Sequence, residues 1–363
     1  MKKKQVVSLL LAATLMGSSV FSGIATLDVS AATKEGVTAE DLADNNTNAP
    51  EKDKVIPSAN QYKYQKDELA AFCHFGMNTY TGSEWGNGKE KPEQFALKND
   101  FDAETMVKTL HEAGFKKLIV TAKHHDGFCI WPSKYTEHDS QKAGYSGDVL
   151  AEISTACTKY NMDMGLYLSP WDVNAKSYGY YDKDGKPLCD KNGKPLDNKS
   201  WEEVEALDVD DYNEYYNNQL KEILGNKKYG NNGRFVEVWM DGAKGSGSAV
   251  QNYTFEKWFD TIQQYEGKKG EQKDDCLLFG AEAYTTVRWI GNENGYADSE
   301  TWSKSNVDKK KNTIDSNTKD GYTKGFVDGN QWTVPEADAR ITSGWFWGES
   351  KKTPKDMKAL SEM

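Results

Sequence analysis

Short apolar runs alternate along this chain with amphipathic segments, so strand-type and helix-type periods take turns. Runs bounded by Gly and polar residues predict strands over 70–75, 118–121, 164–168, 235–240 and 277–279. Apolar residues at successive positions suit strands buried on both faces, as in a parallel sheet covered by helices. Between these runs, apolar positions at helical spacing predict helices over 103–113, 147–160, 210–224 and 255–265. This alternation predicts an α/β fold whose most economical arrangement is a (β/α)8-like TIM barrel. Three stretches interrupt the pattern. Asp182-Lys183-Asp184-Gly185-Lys186-Pro187-Leu188 is nearly repeated as Asp190-Lys191-Asn192-Gly193-Lys194-Pro195-Leu196, two Gly-centred turns that predict a β-hairpin insertion. Residues 303–321 are rich in Lys, Asn and Asp and predict a solvated loop. A helix start at Thr353-Pro354 is followed by Met357, Leu360 and Met363 on one face, so the chain stops inside an amphipathic helix. The strands are too few for an eight-stranded closure, and the barrel is expected to be truncated at its C-terminal end.

The N-terminus changes where that fold begins. Lys2-Lys3-Lys4, an apolar segment from Val6 to Met16 and small residues ending Val29-Ser30-Ala31-Ala32 have the layout of a secretory signal peptide. Residues 1–32 are therefore set apart as a signal, 33–55 as a polar linker and 56–363 as the barrel; the mature protein is expected to be secreted or held at the cell surface. No later apolar run is long enough to span a bilayer. The formal charge of −11, with 56 Asp and Glu against 45 Lys and Arg, argues against nucleic acid or an anionic membrane as partner. Cys73, Cys129, Cys157, Cys189 and Cys276 are an odd set in a chain of this length; they predict mostly buried free thiols with one bridge at most.

Candidate chemistry gathers where the predicted strands end. The run Leu118-Ile119-Val120-Thr121 leads into Lys123-His124-His125-Asp126-Gly127-Phe128, which holds two of five histidines. Other strand ends read Cys73-His74-Phe75-Gly76, Tyr167-Leu168-Ser169-Pro170-Trp171-Asp172, Trp239-Met240-Asp241-Gly242 and Gly280-Ala281-Glu282-Ala283. In α/β folds the carboxyl ends of the strands share one face, so these residues converge on a pocket. The paired histidines also suit a polar turn or half of a metal site, but no HExxH or paired CxxC accompanies them, and substrate binding is the favoured reading. The 11 Trp and 19 Tyr would supply aromatic faces for sugar rings. Asp241 follows a buried run and precedes Gly242, which would let a ligand approach the backbone closely. Glycoside hydrolysis needs a second carboxyl group, for which Glu282, Glu293 and Glu84 are the candidates.

His74-Phe75-Gly76, Glu84-Trp85, Lys123 to Phe128, the Trp-x-Asp-Gly phrase at Trp239 to Gly242 and Arg288-Trp289-Ile290-Gly291-Asn292-Glu293 with Gly295 occur in this order. Together they resemble the α-L-fucosidases of glycoside hydrolase family 29. The resemblance implies a retaining double-displacement exo-glycosidase on a (β/α)8-related barrel, needing no cofactor or metal, with fucosylated oligosaccharides or glycoconjugates as partners. It implies Asp241 as nucleophile and Glu293 as acid/base, with Glu282 in reserve. The phrase around Glu293 resembles the branch that cleaves α-1,3 and α-1,4 linkages. His74, Glu84, Trp85, His124, His125 and Tyr167 match positions that hold the sugar hydroxyls, and Trp239, Arg288 and Trp345 are expected to line the pocket. Such proteins continue beyond the Trp345-Phe346-Trp347 phrase, and an open core without that continuation argues against stability or activity of this chain alone. The rival reading is an inactive or truncated fucose-binding barrel.

Overall fold

The computed structural model describes residues 55–98, 101–175, 177–179, 211–242, 251–267, 276–348 and 354. The expected signal, the linker apart from Val55, the hairpin insertion and Cys189 lie outside the described residues, as does the C-terminal helix apart from Pro354. Residues Val55–Met363 form one compact unit.

A seven-stranded parallel sheet organises that unit. Its strands are β1 (Ala70–Cys73), β2 (Lys117–Lys123), β3 (Asp163–Leu168), β4 (Glu237–Trp239), β5 (Leu277–Phe279), β6 (Val287–Trp289) and, after an excursion, β12 (Val334–Glu336). Neighbours follow chain order up to β6, which pairs with β12. Every residue of β2 is buried, as its uninterrupted apolar run requires. Alternation still divides its side chains. Leu118 and Val120 join the core between sheet and helices, whereas Ile119 joins a second cluster with Tyr167, Trp239, Phe279, Val287 and Val334. Strands lie about 4.8 Å apart, so a flat sheet would separate β1 from β4 by roughly 14 Å. The rings of Phe72 and Trp239 are nevertheless 5.2 Å apart. The sheet therefore curls around the second cluster, consistent with a (β/α)8-like domain.

Helices α1 (Ala59–Asp67), α2 (Met77–Thr81), α3 (Ala103–Glu112), α4 (Val149–Tyr160), α5 (Tyr212–Leu224) and α6 (Phe255–Glu266) accompany the sheet. Their boundaries are set by capping. Asp102, Asp148 and Asp211 accept backbone N–H groups of Thr105, Ala151 and Asn213, which moves the starts of α4 and α5 two residues inside the expected ranges. Helix α1 closes the N-terminal end of the sheet: its Gln61 Nε2 donates to the carbonyls of Thr286 and Trp332 at 3.0 and 2.9 Å.

Two expectations are corrected. Residues 303–321 are not simply a solvated loop. They contain β7 (Lys304–Asp308), β8 (Thr313–Asp315) and β9 (Thr318–Lys319); β9 pairs with β10 (Tyr322–Thr323), and β7 sits between β8 and β11 (Gln331–Trp332). Buried Ser305 anchors this layer through hydroxyl bonds to Ser316 and Thr333, contacts that a reading weighted to apolar residues does not register. The sheet also gains β6 and β12, whose Arg and Pro hide short strands from such a reading. Among the described residues the four cysteines are free thiols.

Candidate active site

The strand ends do converge. A cavity of about 470 Å³ is lined by Phe72, His74, Glu84, Trp85, His124, His125, Tyr167, Trp171, Trp239, Asp241, Glu293, Asp338 and Trp345. Ten of these thirteen are residues expected from the sequence. Its floor is aromatic: Tyr167 stacks on Trp239 at 5.1 Å and Trp239 on Phe279 at 3.9 Å.

The Lys123 to Phe128 phrase divides its labour. Lys123 turns away to pair with Asp172 at 3.1 Å, both side chains buried. Asp126 closes a tight turn by accepting the Phe128 N–H at 2.7 Å, and Phe128 packs on Phe95 in the core. Gly127 has φ +75°, and a Cβ there would lie 2.3 Å from Asp172 Oδ1; the turn needs glycine. Only the two imidazoles face the cavity.

His125 Nδ1 lies 2.6 Å from Ser169 Oγ, and that hydroxyl donates to the Trp171 carbonyl at 2.7 Å. The pattern assigns the His125 ring proton to Nδ1 and leaves Nε2 as an acceptor 3.6 Å from Asp241 Oδ2. The Tyr167 hydroxyl donates to the same Asp241 oxygen at 3.1 Å. His74 meets Thr121 Oγ1 through Nδ1 at 2.9 Å. Burial, helped by His125, pulls the His74 imidazole down to about 3, and burial likewise lowers His124 and His125. These rings are thus neutral near pH 7 and each can both accept and donate. His124 also meets the backbone of Glu84, which ties the ring to the loop that carries another lining residue.

Asp241 follows β4, where the chain is permitted by a glycine other than the expected one. A Cβ on Gly242 would meet nothing within 4 Å, whereas at Gly280 (φ +72°) it would lie 1.9 Å from the Met240 carbonyl. Gly280 is what lets the ends of β4 and β5 approach. Glu293 stands on the loop after β6, accepting from Trp345 Nε1 at 3.1 Å with Arg340 Nη1 at 3.9 Å.

Arg288 does not line the cavity. Val287 faces the second core cluster, so its neighbour points to the opposite face of β6. The Arg288 guanidinium there binds the carbonyls of Thr333, Trp302 and Thr323 at 3.2, 2.7 and 2.9 Å and serves as a strut. Glu282 is also outside the lining; it sits in a 3-10 turn at φ +45°, and its carboxylate accepts from Asn312 at 2.6 Å. Phe72, Trp171 and Asp338 were not foreseen as lining residues. Trp171 belongs to a strand-end phrase that flagged it, whereas Asp338 follows β12, a strand the sequence reading lacks. Beneath the floor, Glu336 accepts from Trp239 Nε1 at 2.8 Å, and burial pushes its carboxyl up to about 8.

Against known proteins, a family model described as alpha-L-fucosidase matches residues 37–358. Alpha-L-fucosidase 1 of Arabidopsis thaliana is 38% identical over 312 residues, covering 85% of this chain and 53% of that protein. Human tissue alpha-L-fucosidase is 29% identical over 132 residues, 29% of this chain and 28% of that one. A family 29 fucosidase of Ruminococcus gnavus, solved in complex with fucose, is 63% identical with a TM-score of 0.78, covering 86% of this chain and 61% of that one. The chain spans about half the length of the curated relatives that match most of it. With the family match running through every strand end that lines the cavity and the structural likeness covering 86% of the chain, the chain belongs to the α-L-fucosidase family, glycoside hydrolase family 29.

Proposed function

We propose that this chain is the catalytic barrel of a secreted, retaining exo-glycosidase that releases α-linked L-fucose from α-1,3/1,4-fucosylated glycans. The observation that carries the reading is the shared cavity, in which Asp241 and Glu293 reach from different strand ends into one space with three neutral imidazoles and an aromatic floor. Sugar hydroxyls are donors and acceptors at once, which neutral imidazoles match, and the apolar methyl of fucose suits indole and phenol rings. In the first step an Asp241 oxygen attacks the anomeric carbon while Glu293 gives its proton to the departing glycosidic oxygen, leaving a fucosyl ester. In the second, Glu293 takes a proton from water, the water oxygen displaces Asp241, and fucose leaves with its configuration retained. The Tyr167 hydroxyl bond to Asp241 fixes the attacking carboxylate.

Asp241→Ala is expected to lower turnover of an aryl α-L-fucoside by about a thousandfold or more with unfolding unchanged. Retained turnover would refute the assignment, and fucose binding by the unsubstituted chain without turnover would establish the rival binding-protein reading. The linkage rests on the Glu293 phrase and is tested by fucose release from α-1,3- and α-1,4-linked against α-1,2-linked trisaccharides. Export rests on residues 1–32 and predicts a secreted form beginning near residue 33. His124, His125 and Asp241 also bring donor atoms within 4.8 Å of one another, so stoichiometric zinc in purified protein would favour metal-assisted hydrolysis instead.

A further inference from the structure

The loop carrying Glu293 is held from one side by Thr323 of β10, whose N–H donates to the Ile290 carbonyl at 2.7 Å, and from the other by the end of β12 and the segment that follows it. Ile290 N–H donates to the Glu336 carbonyl at 2.9 Å, and Asn294 and Ala339 form an antiparallel bridge. Trp289, the last residue of β6, donates through Nε1 to Asp338 Oδ1 at 2.8 Å. Arg340 and Trp345 meet the Glu293 carboxylate, and the Arg340 guanidinium lies 5.6 Å from the Trp345 ring centre. Asp338 itself lines the cavity, one of four carboxyl groups there with Glu84, Asp241 and Glu293.

We propose that Asp338 is a positioning residue for Glu293: its carboxylate anchors the acid's loop through Trp289 and, opposed by Arg340, sets the charge that the acid faces as its proton leaves. This deepens the fucosidase reading and rests on it. A general acid in a double displacement must hold a proton at the first step and lose it by the second. A negative neighbour favours the protonated form and a positive neighbour the ionised one. Asp338 and Arg340 supply one of each from a single short segment. Asp338 is faced by Trp289 and Glu293 from the end of β6 and its loop, Asp241 from the end of β4, and Glu336 from its own side; Arg340, two residues on, meets Glu293, and His125, of the β2 loop, stands 3.6 Å from Asp241. Burial, with Glu293 and Asp241 adding to it, pushes the Asp338 carboxyl up to about 6.

The test is the pH profile of kcat/KM for a fucoside in the full chain. Asp338→Asn keeps an acceptor for Trp289 and removes only charge, so the alkaline limb, where the acid loses its proton, is expected to move to lower pH by about half a unit or more with KM little changed. Arg340→Gln is expected to move that limb the other way. Asp338→Ala, which also frees Trp289, is expected to add a fall in kcat that Asn does not show. Unmoved limbs in active Asn and Gln variants would overturn the proposal while leaving the fucosidase reading intact. A wild-type chain without turnover would sink both.

Discussion

Glu293 keeps a side chain 49% exposed even though Trp345 and Arg340 reach it, which suits the acid/base role proposed for it, since such a group would meet a leaving oxygen and then a water. Its importance should depend on how much help the leaving group needs. Glu293→Ala is expected to cost about 10²–10⁴-fold in kcat/KM on a fucosylated glycan, the usual worth of a positioned acid, and far less on an aryl fucoside whose phenol leaves unaided. Equal losses on both substrates would mean that Glu293 is not the acid. Residue by residue, the sequence exposed most of the pocket because its lining comes from contiguous phrases at strand ends. It misled where orientation mattered: Arg288 shares a phrase with Glu293, but the alternation of β6 turns it into the protein, where it binds three carbonyls. Asp338 stayed hidden because nothing around it has the pattern of a strand.

Elements were legible in proportion to their apolar content. β2 and α3 lie close to the expected ranges because an unbroken buried run and a wide apolar stripe each leave one reading. β6 and β12 are three residues each and carry Arg and Pro; they exist because neighbouring strands offer them partners, information that no local window holds. The far end of the sheet carries an equally non-local device. Lys117 at the start of β2 and Glu237 at the start of β4 form a buried pair at 2.5 Å, with the ammonium also 3.6 Å from the centre of the Tyr64 ring on α1. Burial pulls the Lys117 ammonium down while Glu237 holds it up. Removing one partner strands the other, so Glu237→Leu is expected to cost about 3–5 kcal/mol in urea unfolding, and the double change Lys117→Met/Glu237→Leu to recover most of it. Additive losses would show that the two charges do not act as a pair. The pair lies at the opposite ends of the strands from the cavity, so activity of the folded fraction should be unchanged.

For the whole molecule, the cost of assembling a polar pocket on a buried floor should appear as opposed pH dependences of stability. Burial holds the His74 imidazole near 3 against an ordinary 6.5. The unfolded chain therefore binds more protons between those values, and the histidine contribution is present above about 6.5 and lost as pH falls. Glu336 works in the other sense. Its carboxyl is held up to about 8 against an ordinary 4.5, so the folded chain binds more protons over that interval, and its contribution is present below about 4.5 and lost as pH rises through 8. Asp126, pushed up to about 7 by burial, adds to the same slope. From 4.5 to 6.5 the two sets oppose each other; above 6.5 the histidines no longer titrate in either state, and the decline belongs to the carboxyls. Glu336→Gln preserves an acceptor for Trp239 Nε1 and removes the titration. The unfolding midpoint of the unsubstituted chain is therefore expected to fall between pH 6.5 and 8, and that of the variant to fall less. Parallel curves would mean that Glu336 is already ionised under the floor of the pocket, and that the aromatic stack above it tolerates a buried negative charge.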